Sequence, residues 1–104
     1  MKHKAAIRTR EKLATQLPPI TEILRGSLLH RTIFHKKGCL KCARGQGHPA
    51  WVLTVGYAGG KTKQFSIRPE MKDQVQRWLK NYQELKSKLE AICEANHVLL
   101  RPEE

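Results

Sequence analysis

From Met71 to Leu99 the apolar side chains recur at alternating spacings of four and three: Met71, Val75, Trp78, Tyr82, Leu85, Leu89 and Ile92, followed by Asn96 and Leu99. A strand repeats every two residues, so only a helix gathers these positions on one side. Pro69 suits a first helical position, and Glu70 and Asp73 fall in the first turn, where the helix dipole favours acids. The pattern predicts a long helix over residues 69–100. It is also a heptad seam, and Asn96 sets one amide among apolar positions, a device that can fix register and dimeric state in a coiled coil. Two partners therefore suit the seam of Val75, Trp78, Tyr82, Leu85, Leu89, Ile92 and Asn96: a second protein chain, in a homodimer or with a larger partner, or the rest of this chain. At 104 residues with 39% apolar content, the chain can build one modest core.

Upstream, Ala6, Ile7, Leu13, Ala14 and Leu17 recur at helical spacing until Pro18-Pro19 interrupts them. A second short helix can start at Pro19, with Ile20, Ile23 and Leu24 on one face and Gly26 as its stop. Residues 1–26 thus read as an N-terminal helical segment, and residues 27–104 as a single domain. Leu28 to Phe34, with β-branched Thr32 and Ile33, suits a short strand or extended entry. The segments 51–57 and 61–67 have strand composition, and Ala58-Gly59-Gly60 between them supplies a tight turn. They predict a two-stranded antiparallel hairpin over residues 51–67, with Lys61 and Lys63 near the turn on the same parity as Phe65 and Ile67. The fold class expected is α+β: helical segment, ligand-bearing loop over residues 35–48, hairpin and long C-terminal helix.

Charge is distributed very unevenly. Residues 1–68 carry fourteen Lys and Arg against Glu11 and Glu22, and residues 69–104 carry six against seven acids, so +12 and −1 give the net +11. Between Glu22 and Glu70 there is no carboxylate, while Arg25, Arg31, Lys36, Lys37, Lys41, Arg44, Lys61, Lys63 and Arg68 all fall there. Ordinary solvated surfaces intersperse both signs, so a stretch of one sign points to a polyanion. A two-stranded ribbon fits the major groove and lysine neutralises phosphate, which favours DNA over RNA and makes Lys36, Lys37, Arg44, Lys61, Lys63 and Arg31 the candidate nucleic-acid contacts. Trp51 and Tyr57 share a parity and could stack on bases, or serve as anchors of a small core.

The loop carries the clearest chemical pattern: His35-x3-Cys39-x2-Cys42-x5-His48, four ligands within fourteen residues. Zinc takes four tetrahedral nitrogen and sulfur ligands, and Cys-x2-Cys lets two thiolates reach one ion through a turn. His30 is an alternative to His35, and an unmetallated turn with two free thiols is the alternative to a structural zinc site. Three cysteines in all, two of them this close, suit metal or redox chemistry in a reducing compartment better than a disulfide framework. Apolar runs are far too short to span a bilayer, and the N-terminus lacks the apolar core of a signal peptide, so a cytoplasmic protein without a membrane partner is expected.

Catalytic motifs fail on spacing. Gly59-Gly60-Lys61-Thr62 resembles the end of a phosphate-binding loop, but Val55 stands where its first glycine is required. The deaminase and metalloprotease zinc signatures are missing, and the loop has no nearby carboxylate to act as a base. The chain reads as a binding module and not an enzyme.

Gly26-Ser27-Leu28, Gly38-Cys39-Leu40-Lys41-Cys42-Ala43, Gly47-His48-Pro49, the strand opened by Trp51, Gly59-Gly60-Lys61-Thr62 and Arg77-Trp78 with Asn81-Tyr82 follow one another in order. In these motifs, over about residues 25–101, the chain resembles an uncharacterised family of small basic prokaryotic proteins often encoded near transposases and other mobile-element genes. The resemblance implies a zinc-knuckle-like loop joined to a hairpin and a long helix, with a role in DNA transactions of mobile elements. Where similar proteins carry a further cysteine ahead of the loop, this chain has Phe34 or His35. The combined expectation is a zinc-binding, nucleic-acid-binding protein, and its alternative is an accessory subunit that dimerises or docks through the heptad helix.

Overall fold

Lysine, alanine, arginine, glutamate and leucine dominate the first residues, and all are good helix formers. They form helix α1 over Lys2–Ala14. The computed structural model describes residues 2–33, 45 and 48–103. Strands β1 (Ser27–Ile33), β2 (His48–Gly56) and β3 (Thr62–Ile67) follow, then helix α2 (Lys72–Leu99). The fold is α+β, as expected, with the hairpin extended to a three-stranded antiparallel sheet in the order β1-β2-β3. The chain divides into two compact units: Met1–Leu24 with Lys80–Glu104, and Arg25–Leu79.

In the first unit, the helix expected to reach Leu17 stops at Ala14. Leu17 precedes Pro18, and a residue before proline is driven out of the helical region. The last turn tightens instead: Thr15 N–H donates to the Glu11 and Lys12 carbonyls at 3.3 and 3.1 Å, and Gln16 N–H to Leu13 at 3.0 Å. The short helix expected after Pro19 does not form. A helix this short is marginal on its own, and what remains is a turn held by Glu22 N–H on the Pro19 carbonyl at 3.1 Å.

Four contacts show how this unit pairs. His3 Nε2 donates to the Arg101 carbonyl at 2.6 Å, and Arg10 Nη1 to Asn96 Oδ1 at 2.9 Å. Lys88 Nζ donates to the Gln16 carbonyl, and Asn81 Nδ2 to the Glu22 carbonyl at 2.9 Å. As one partner's number rises the other's falls, so residues 3–22 run antiparallel along residues 81–101. The inward side of α1 is His3, Ala6, Arg10 and Leu13, with Ala6 buried, whereas Ile7 and Ala14 of the expected stripe are exposed. On α2, Leu85, Lys88, Ile92 and Leu99 are half-buried and Ala95 is buried, while Leu89 is 47% exposed. The covered stripe has therefore rotated from the heptad seam by about one position at its middle. Lys88 lies on the covered side, and its ammonium donates to the Gln16 carbonyl just past α1, where the helix dipole is negative.

In the second unit, β2 is the central strand, and Val52, Leu53 and Val55 are all buried, together with Val75 of α2. Adjacent residues on a strand point to opposite faces, so burial of both Val52 and Leu53 means both faces of β2 are covered there. Gly26 sets the entry to β1 with φ +138°; a Cβ there would lie 2.9 Å from the Thr54 carbonyl oxygen and 3.0 Å from the Leu53 side chain. Pro49 pairs only toward β1, beyond the end of β3, where a missing donor costs no ladder bond. Pro69–Met71, expected as the first helical turn, is a 3-10 turn, and its closing bond from Lys72 N–H to the Pro69 carbonyl leads into α2.

Candidate nucleic-acid interface

The register decides which side chains share a face, because directly opposed residues of an antiparallel ladder point the same way. Leu28 and His30 of β1 face Leu53 and Trp51 of β2, and these in turn face Phe65 and Ile67 of β3, with Val55 opposite Lys63. Tyr57 N–H donates to the Lys61 carbonyl at 2.7 Å, and Tyr57 has extended backbone at φ −125°, ψ 166°. The ladder thus continues one step, and Tyr57 and Lys61 join the same face. Ser27, Leu29 and Arg31 lie with Ala50, Val52 and Thr54 on the other.

The first face mixes rings and cations. Arg25 donates to the Gly56 carbonyl and sets its guanidinium carbon 5.1 Å from the centroid of the Tyr57 ring, and Lys63 Nζ lies 5.3 Å from the same centroid. Farther along the face, Lys72 Nζ lies 5.0 Å from the Trp51 centroid, and the His30 and Trp51 rings are 4.6 Å apart at 40°. A cation over an exposed ring is worth about 0.5–1 kcal/mol, enough to bias side-chain orientation without fixing it. Tyr57 is 43% exposed and Phe65 45%, and Trp51 is half-buried. Of the two roles weighed for Trp51 and Tyr57, the surface role thus falls mainly to Tyr57. No carboxylate stands on any of the three strands.

Among the candidate contacts, Lys61, Lys63 and Arg31 are exposed. Lys61 and Lys63 come together on the first face, and the ladder places Arg31 on the opposite one. Lys36, Lys37 and Arg44 lie outside the described residues. Arg25 and Lys72, which the sequence offered no reason to pair with rings, complete the cluster. Their positions depend on where the chain enters β1 and leaves β3, and no short spacing encodes that.

His35, Cys39 and Cys42 also lie outside the described residues. Of the candidate metal ligands, His48 is placed by its backbone as the first residue of β2, paired with Ile33. The β1–β2 ladder thus brings the two residues that bracket the segment 34–47 side by side. Cys39, Cys42, His48 and His35 would offer zinc two thiolates and two imidazole nitrogens, the donor chemistry it takes. His30, the alternative ligand, packs its ring on Trp51. Cys93 is an exposed free thiol on α2.

The chain matches no protein-family model, and comparison with curated proteins and with solved structures finds no similar one. No helix among the described residues is long and apolar enough to cross a membrane.

Proposed function

We propose that this is a nucleic-acid-binding protein, DNA being the favoured ligand, in which a structural zinc ion organises the segment between β1 and β2. The observation that carries the reading is the stretch from Glu22 to Glu70, which has nine cations and no carboxylate, together with the exposure of Lys61 and Lys63 on a face that also holds Arg25. Phosphate binding needs cations that no carboxylate already engages, and acids on the strands would compete for them. Zinc would tie Cys39, Cys42 and the two histidines, drawing the loop's Lys36, Lys37 and Arg44 into one constellation with the hairpin. A link to mobile elements rests on the family resemblance alone.

The test is affinity for a generic DNA duplex and a matched single strand as salt is raised, with and without a zinc chelator. The expected result is binding whose log affinity falls linearly with log salt and which chelation weakens. Weak binding at moderate salt, indifferent to chelator, would end the proposal. The competing reading, an accessory subunit docking through the heptad helix, draws no support from Asn96, since its amide oxygen is engaged by Arg10 within the chain.

A further inference from the structure

Phe65 sits in the middle of the edge strand β3, 45% exposed, on the face that carries Lys61, Lys63 and Tyr57. Among the described residues no ring or cation is seated on it, in contrast to Tyr57 and Trp51. An apolar ring on a protein edge strand is an aggregation hazard, one that the flanking Lys61 and Lys63 reduce without needing an aromatic.

Resting on the nucleic-acid reading above, we infer that Phe65, on the exposed β3 edge of this face, is a stacking site for single-stranded nucleic acid, receiving one unpaired base while Lys61 and Lys63 hold the flanking phosphates. An unpaired base offers this ring more than a stacked duplex does. Bases inside a duplex stack on each other and expose only their edges, and a phenyl ring has no donor or acceptor with which to read an edge. Its full area is matched by the π-face of an unstacked base. Lys63 lies two residues from Phe65 on the same face of the strand, about 7 Å along it at ordinary rise, within reach of a phosphate beside a base stacked there. An acidic peptide would meet the cations but would leave the Phe65 ring unmatched.

The test uses the full chain with four fluorescent probes: a single-stranded oligodeoxythymidine, an oligouridine of equal length, a DNA duplex and polyglutamate. Phe65→Leu, which keeps an apolar side chain on the strand, should weaken single-strand binding about tenfold with an unchanged salt slope and leave duplex binding within twofold. Phe65→Trp should restore single-strand affinity, and its indole emission should be quenched on binding. Comparison of the two single strands tells DNA from RNA, and either one suffices for the inference. Equal single-strand affinity of Phe65→Leu and the unaltered chain would overturn it, as would equal losses on duplex and single strand or equally tight polyglutamate binding. Failure of the unaltered chain to bind any nucleic acid would instead overturn the proposed function itself.

Discussion

Arg10 of α1 donates from Nη1 to the side-chain oxygen of Asn96 of α2 at 2.9 Å, a part-buried bond between residues 86 apart in the chain. It gives the one amide of the heptad seam a partner inside the molecule. An asparagine that would set register between two coiled-coil helices sets it here between an N-terminal helix and the helix that closes the chain.

Breaking this pair should cost measurable stability. Arg10→Ala should destabilise the chain by about 1.5 kcal/mol, and so should Asn96→Ala, the lower end of what hydrogen bonds to charged groups carry, because this one is only part-buried. The double variant should lose clearly less than the sum, and urea denaturation of the four species measures the coupling. Additive losses would show that the bond contributes nothing.

Lys88 caps the end of α1 through the Gln16 carbonyl and also lies 3.5 Å from Glu84 one helical turn earlier. Lys88→Met keeps the stem and removes the ammonium, so it should cost about 1 kcal/mol and speed amide exchange in the last turn of α1. Glu84→Gln, which disturbs only a surface ion pair, should change stability by less than about 0.5 kcal/mol.

Gly26→Ala should be among the most damaging small substitutions. At φ +138° a side chain is strained, and the new Cβ would meet the Thr54 carbonyl oxygen at 2.9 Å. A loss of about 2–3 kcal/mol is expected in thermal or urea unfolding. Gly59→Ala meets no neighbour within 4 Å, so only its φ of +80° counts against it and a smaller loss of about 1 kcal/mol should follow.

The register separates the candidate phosphate contacts. Lys61→Gln and Lys63→Gln should each weaken nucleic-acid binding and lower the salt slope by about 1. Arg31→Gln, on the other face of the sheet, should leave both nearly unchanged. Titration across a salt series distinguishes these outcomes, and an Arg31 effect equal to that of Lys63 would assign the contact to the wrong face.

Metal content is a separate test. The purified chain should carry one zinc ion, by elemental analysis, and Cys39→Ser or Cys42→Ser should abolish it. His35→Ala and His30→Ala compared side by side should show which imidazole belongs to the set.

The long helix α2 and the β2–β3 hairpin are legible in local patterns alone, whereas the short helix expected after Pro19 is not there. Spacings of four and three made α2 a helix wherever it packs, and Gly59-Gly60 between two strand-forming segments made the hairpin, because both signals act within a few residues. The acid-free stretch likewise needs no structure to be read. Which segments pair was settled by long-range packing. It paired β1 with β2, turned Lys88 inward and Leu89 outward, gave Asn96 to Arg10, split Arg31 from Lys63, and seated Arg25 and Lys72 on aromatic rings. Each of these follows from a register or a packing between segments far apart in the chain. A periodic pattern fixes which residues share a side, but the side that is covered depends on the shape and charge of whatever element arrives to cover it.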